Sequence, residues 1–331
     1  MKFNFQKRIK KLQNLLEKKN LDSFLITNPY DILYYTGFYA EGSFLIINTE
    51  PVLFTNTLYN EAQNLKTVKV LFINDLKLII NFLKGFVGFD EFDLNSHIFL
   101  KFKKLGVKLK PAGEIIKEPR RIKEEKEIEL IKKSVKTTKK ILENLNFYGK
   151  TEEKLASEIE SSFFQELAKP AFDPIVSSGP NTKFVHYKPG KRIIKKNDLI
   201  LIDLGARFNW YCSDITRMIL NKNKKIKEKF EELLELQRKI INKIKPGIKF
   251  QELEKIYTQF LKANKCEKFH SLGHSIGLEE HERIGNELKE NMIITIEPGI
   301  YLKNFGLRIE DMVLVKKKKA KVLSEFIPLL L

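Results

Sequence analysis

Apolar residues first fall on a helical stripe and then into short runs. Ile9, Leu12, Leu15 and Leu16 recur at helical spacing among lysines, which predicts a charged amphipathic helix near the start of the chain. Strand-like runs follow at 24–26, 44–47, 52–54 and 70–73, with helical patterns near 76–83 and 96–103. That order predicts an α/β domain over residues 1–117. No glycine-rich phosphate loop accompanies it. The basic, proline-containing stretch Glu118-Pro119-Arg120-Arg121 marks the expected boundary, and a second domain is expected over 118–331.

The second region opens with a long helical pattern at about 123–145, whose apolar positions are Ile128, Leu130, Ile131, Val135, Ile141, Leu142 and Leu145. An internal echo comes next. Gly149 and Gly247 are each followed six residues later by a leucine, Leu155 and Leu253, and then by a helical pattern. After each helix comes a histidine-containing stretch and a strand rich in acids, an expectation of two related halves resting on a short match. Residues 199–220 are the most strand-like of the chain, two β-runs with a short connection that read as a hairpin.

Composition narrows the class. The chain has 331 residues and is 43% hydrophobic, enough for two domains or one large one with a full core. No run of about 18 apolar residues occurs, so no membrane span is expected. The lysine-studded first twenty residues lack the apolar core of a secretion signal, and a cytoplasmic location is expected. Cys212 and Cys266 are too few for a disulfide framework and read as small apolar fillers. The net charge of +18 is carried mainly by lysines spread along the whole chain, and runs such as 316–319 sit where a hairpin turn is expected. It reads as a solvated surface, with no specific nucleic-acid partner and no membrane.

Candidate chemistry lies in the apolar runs. Asp203, Asp214, His274, Glu297 and Glu310 sit in or beside segments such as Leu-Ile-Asp-Leu and Ile-Glu-Pro. A buried carboxylate must be paired, protonated or bound to a metal. One such acid reads as a satisfied structural residue, but four with a glycine-flanked histidine do not. Asp203 and Asp214 are eleven residues apart and suit one hairpin; Glu297 and Glu310 are thirteen apart and suit another. Carboxylates with one imidazole favour Mn²⁺, Fe²⁺, Co²⁺ or Zn²⁺. Four acids exceed the needs of one catalytic zinc, and two ions about 3.5–4 Å apart fit better.

These residues carry a resemblance. From about 120 to 331 the chain resembles the pita-bread metallopeptidases, which include methionine aminopeptidase, aminopeptidase P and prolidase. The matching segments are Ile202-Asp203-Leu204-Gly205-Ala206, Ser213-Asp214-Ile215-Thr216-Arg217, Gly273-His274-Ser275-Ile276-Gly277-Leu278, Thr295-Ile296-Glu297-Pro298-Gly299-Ile300-Tyr301 and Arg308-Ile309-Glu310-Asp311. The second and fourth look like the proline-specific branch. Residues 28–38 are similar to the creatinase-like first domain of prolidases and aminopeptidases P. The resemblance implies a creatinase-like α/β domain followed by an α+β, pseudo-two-fold catalytic domain, a homodimer, and two divalent ions with manganese foremost. It implies hydrolysis of Xaa–Pro bonds in short proline-containing peptides. Asp203 would chelate one ion, His274 and Glu297 the other, with Asp214 and Glu310 bridging and Glu297 shuttling the proton.

By the same resemblance His186 and His281 hold the substrate, whereas the bland reading of each is a loop histidine. His270 matches a pocket histidine, Arg308 supports the site or the substrate carboxylate, and Arg283 is a second clamp candidate. Tyr301 lines the pocket or fills strand core. His97 is expected to be structural. The segment between His281 and Glu297 is shorter than in prolidases, and the first domain is short too, which bears on the pocket for the leaving proline and on oligomer contacts. Two rivals remain: a non-catalytic pita-bread protein that binds protein or nucleic acid, and a creatinase-like hydrolase. Retention of all five ligand types disfavours both. A dipeptidase and an aminopeptidase are not separated at this stage.

Overall fold

The structure, a computed structural model, describes residues 3–328, and all elements and contacts below are among these. The chain divides into two compact units between Arg120 and Arg121.

The first unit is built on one mixed sheet. Its strands are β1 (Ser23–Ile26), β2 (Phe44–Ile47), β3 (Val52–Thr55), β4 (Lys69–Phe72), β5 (Phe86–Phe89) and β6 (Lys108–Pro111), in the order β4-β3-β2-β1-β5-β6. β1, β2 and β3 pair antiparallel, and β4, β5 and β6 join in parallel. The helices are α1 (Phe5–Lys18), α2 (Pro29–Thr36), α3 (Tyr59–Ala62), α4 (Lys77–Ile80), α5 (Ser96–Lys104) and α6 (Gly113–Arg121). α1 buries Ile9, Leu12 and Leu16 as its stripe predicts, and Leu15 lies at the half-buried margin. β5 and β6 escape an apolar-run reading because one holds a glycine and the other alternates with lysines, the composition of a protected edge.

α2 begins where Asn28 Oδ1 accepts from Tyr30 N at 2.8 Å and Pro29 takes the first helical position. It ends at Gly37, whose φ of +82° is the left-handed cap. The basic stretch expected as a boundary is the last turn of α6. It is tied in by buried Asp31, which meets Arg120 at 2.6 Å and Lys117 at 2.8 Å.

The second unit is α+β. Its helices are α7 (Glu125–Glu143), α8 (Glu152–Gln165), α9 (Lys224–Ile241) and α10 (Phe250–Ala263). Its strands are β7 (Lys169–Pro170), β8 (Ile175–Ser178), β9 (Ile200–Leu204), β10 (Ala206–Phe208), β11 (Tyr211–Cys212), β12 (Ile215–Ile219), β13 (Ile293–Ile296), β14 (Gly299–Tyr301), β15 (Gly306–Arg308), β16 (Asp311–Leu314) and β17 (Lys321–Val322). Two antiparallel pairings, β9 with β12 and β13 with β16, form the floor of the site. α9 and α10 bury Phe230, Leu233, Tyr257 and Leu261 in one cluster with Leu201, Met218, Ile294 and Val313. Each fully buried Leu or Phe contributes roughly 1.5–3 kcal/mol, so this core offsets the cost of the polar side chains set into the same strands. The lysines at 316–319 connect β16 to antiparallel β17, as their placement predicts.

The internal echo is structural. Gly149 and Gly247 both take left-handed φ, +79° and +88°, three residues before α8 and α10. Gly149 N donates to Ile194 O and Ile194 N to Lys150 O, both at 2.9 Å. Gly247 N donates to Leu288 O and Leu288 N to Ile248 O, both at 2.8 Å. The same clasp thus precedes each floor hairpin, the mark of a pseudo-two-fold pita-bread unit.

Candidate metal centre

Strand register sets the first acids on one face. Asp203 in β9 lies opposite Thr216 in β12, and Asp214 stands two residues before Thr216, so all three point to the same side. Between them the chain turns at Asn209 and Trp210, both at positive φ, and the strands approach closely at Gly205, where a Cβ would lie 1.9 Å from Ser213 O. The second pair of strands meets the first through Arg217. This fully buried guanidinium donates to Glu310 O at 2.6 Å and to Asp311 Oδ1 at 2.8 Å, and Glu310 N donates to Thr216 O at 3.3 Å. Glu310 is thereby delivered beside Asp203 and Asp214.

His274 arrives on a segment that runs along β13. Thr295 N donates to His274 O and Glu297 N to Leu272 O, both at 2.8 Å. Gly273 permits this approach, since a Cβ there would lie 2.1 Å from Thr295 O. His274 Nδ1 donates to Ser275 O at 3.1 Å, which leaves Nε2 facing Asp214 Oδ2 at 3.4 Å and Glu297 Oε1 at 3.5 Å. Asp214, His274 and Glu310 each offer a ligand atom, all within 4.8 Å of one another.

Arg308, fully buried, braces the cluster. Its Nη2 donates to Asp203 Oδ2 at 2.6 Å, Nε to Thr216 Oγ1 at 3.1 Å, and Nη1 to Tyr301 Oη at 3.0 Å. Thr216 Oγ1 in turn donates to Glu310 Oε2 at 3.0 Å. Tyr301 Oη reaches His270 Nε2 at 3.1 Å, while His270 Nδ1 donates to Ser271 O at 2.7 Å. Burial and the nearby Arg308 hold His270 down to about 4, so the ring is neutral and Nε2 accepts from Tyr301 Oη.

The electrostatics of the cluster fits a divalent cation. Burial raises the Asp203 carboxyl even against Arg308, and burial with repulsion from Asp214, Glu297 and Asp203 pushes Glu310 well up. Burial raises Glu297 too, although His274 opposes it. Burial would lower His274, but Asp214 and Glu297 outweigh it and lift the imidazole to about 9. Asp203 Oδ1 and Glu310 Oε1 are buried without a hydrogen-bond partner. Orphaned buried acceptors beside crowded acids and one aimed imidazole are what a divalent cation satisfies. The oxygen-and-imidazole donor set suits a hard or borderline ion.

These groups line a cavity of about 420 Å³ with Phe172, Ile175, His186, Tyr187, His270, Glu280 and His281. The His281 ring lies 4.3 Å from the His274 ring, centroid to centroid, tilted by 59°. Tyr301 is buried and touches the cavity group through His270. Arg283 is not among the residues lining this cavity; its carbonyl accepts from Arg121 Nε at 2.9 Å. His97 is an exposed residue of α5 in the first unit. Sequence reasoning did not single out Thr216, Arg217 or Glu280. The two-residue spacing from Asp214 was the signal for Thr216, and a charge among Ile215, Met218 and Ile219 was the signal for Arg217.

Carboxylates and one imidazole gathered in a cleft on a pita-bread floor define a metallopeptidase. The comparisons make this specific: residues 129–317 match the model of metallopeptidase family M24, and residues 8–122 match the creatinase/prolidase N-terminal domain. The chain is 34% identical to the Xaa-Pro dipeptidase of Pyrococcus horikoshii, over 96% of this chain and 97% of that one. It resembles the solved prolidase from Pyrococcus furiosus with a TM-score of 0.85 and 34% identity, covering 94% and 98% of the two chains. It resembles the X-Pro aminopeptidase from Thermotoga maritima with a TM-score of 0.87 and 29% identity, covering 98% and 99%. The chain belongs to metallopeptidase family M24, in its prolidase and aminopeptidase P branch.

Proposed function

We propose that this chain hydrolyses Xaa–Pro bonds in short peptides and that Asp203, Asp214, His274, Glu297 and Glu310 hold two divalent ions, manganese foremost. The observation that carries this is the convergence of all five side chains from two hairpins and one flanking segment into a single cavity. Relatives named as Xaa-Pro dipeptidase and X-Pro aminopeptidase along nearly their whole length support the bond type. Bound metal would supply Lewis acidity, polarising the scissile carbonyl and activating water near neutral pH.

The chain's own residues do the rest. Glu297, raised toward neutrality by burial, takes a proton from water and returns it to the leaving prolyl nitrogen. His186 and His281 line the cavity and hydrogen-bond the substrate as the carbonyl becomes tetrahedral. Arg308 orients Asp203, and because its three nitrogens already have partners we assign it support of the site rather than a clamp on substrate. Tyr301 and His270 extend that brace. We further read the protein as a cytoplasmic homodimer; the two free cysteines fit a reducing compartment.

The test is proline release from Ala-Pro and Ala-Pro-Ala by metal-stripped protein, before and after adding Mn²⁺. Metal-dependent cleavage of the dipeptide alone makes it a dipeptidase, and cleavage of the first bond of the tripeptide makes it an aminopeptidase. No cleavage of either with any divalent metal would overturn the proposal.

A further inference from the structure

Besides the five ligand residues the cavity is lined by two acids, exposed Asp173 and half-buried Glu280. Glu280 lies on the short loop between His274 and His281, and its side chain is 24% exposed. Other shielded acids of this unit have a cation of their own: Asp203 has Arg308 at 2.6 Å, Asp311 has Arg217 at 2.8 Å, and Glu282 has Lys123 at 2.8 Å. Among the described residues, the nitrogen in ion-pair range of Glu280 is Nδ1 of adjacent His281, at 3.3 Å, and burial together with neighbouring His274 makes that imidazole harder to protonate. Burial, with repulsion from Asp214, raises the Glu280 carboxyl to about 7 against the opposing His274 and Arg207, so a cation brought by a ligand would stabilise its charged form.

The position is built, not loose. Glu282 N donates to Ser275 O at 2.8 Å and Ser275 N returns a bond to Glu282 O at 3.1 Å, closing the loop at its base. Inside it, Glu282 Oε1 accepts from Leu278 N at 3.1 Å, and Lys123 anchors the other carboxylate oxygen. Phe172 and Ile175 give the same cavity apolar walls, which suit the methylene stem of a long basic side chain. The chain's large positive charge acts against cations only at long range and is screened beyond about 10 Å, so the local carboxylate decides.

We propose that Glu280 is a specificity residue that selects peptides whose N-terminal residue is lysine or arginine. The site it serves is the one read above as an Xaa–Pro peptidase, and the preference rests on that reading only for where catalysis takes place. The test is kcat/KM of the metal-loaded chain on Lys-Pro, Met-Pro, Lys-Ala and Met-Ala, in wild type and in Glu280→Gln. The wild type is expected to favour lysine over methionine about tenfold, the worth of one charge-assisted contact, and the variant to bring that ratio near one. The wild-type ratio is also expected to fall as ionic strength rises, a readout that needs no variant. An equal lysine-to-methionine ratio in both proteins, or an equal loss on both first residues, overturns this inference. A missing preference for proline over alanine instead overturns the Xaa–Pro reading and leaves the lysine-to-methionine ratio to judge Glu280. Cleavage of none of the four, nor of Lys-Pro-Ala and Met-Pro-Ala, overturns both; where only the tripeptides are cleaved, their lysine-to-methionine ratio judges Glu280.

Discussion

Thr216 serves two neighbours through one oxygen. It accepts from Arg308 Nε at 3.1 Å and donates to Glu310 Oε2 at 3.0 Å. Thr216→Val keeps the shape and removes both bonds, leaving a buried donor and a buried acceptor unmet at about 1–3 kcal/mol each. Mn²⁺ affinity is expected to fall roughly 10–100-fold, as when a ligand loses its orienting partner. Calorimetric titration of Mn²⁺ checks this, and an unchanged affinity would remove Thr216 from the site. His274 gives a pH prediction. Burial works against its charge, but Asp214 and Glu297 raise it to about 9, so below that pH the ion-free imidazole carries a proton that a metal must displace. Metal affinity is therefore expected to rise with pH through the neutral range and level off above about 9, with proton release on binding. Affinity that is flat from pH 7 upward, measured in buffers of differing ionisation enthalpy, would contradict it.

The hairpins owe their spacing to glycines at close approaches. At Gly273 a Cβ would sit 2.1 Å from Thr295 O, a backbone atom with no room to yield. Gly273→Ala is expected to cost at least about 2 kcal/mol, because the segment carrying His274 must lift off β13. Metal affinity should fall together with stability, since His274 moves with the segment. Urea unfolding in chelator reads the first effect and metal titration the second; a variant with both unchanged would show that the approach is softer than the geometry demands. A second support lies at the start of α8. Buried Glu152 accepts from Ser178 N at 2.7 Å, Asn181 Nδ2 at 3.1 Å and Tyr187 Oη at 2.8 Å, and so fixes the segment that carries His186. No periodicity in the sequence marks that bond, because its partners are 26 to 35 residues away.

At the scale of the molecule, each unit has its own buried ionic lock. In the first, Asp31 is 1% exposed and meets both Arg120 and Lys117. Asp31→Asn removes the carboxylate shared by Arg120 and Lys117, although Lys117 keeps Asp93 at 2.8 Å, and is expected to destabilise that unit by about 3 kcal/mol. A lower urea midpoint of the first unit measures it, and an unchanged midpoint would assign the lock no weight. The sequence by itself determined the kinds of element and singled out the candidate ligand residues. Period-2 and period-3.6 patterns survive folding because one face of each element must be buried, and acids amid Leu-Ile runs are costly enough to announce themselves. It also carried the echo of Gly149 and Gly247, since a left-handed turn demands its glycine locally. It did not carry β5, β6 or the helix at Pro29, where lysines, a glycine and a short polar cap hide the pattern. Nor did it reveal that Arg308 braces Asp203, that Arg217 joins the two floor hairpins, or that Glu280 is left without a full cation. Those pairings join residues far apart in sequence, and their energies exist only once the tertiary fold has excluded water and brought the charges together.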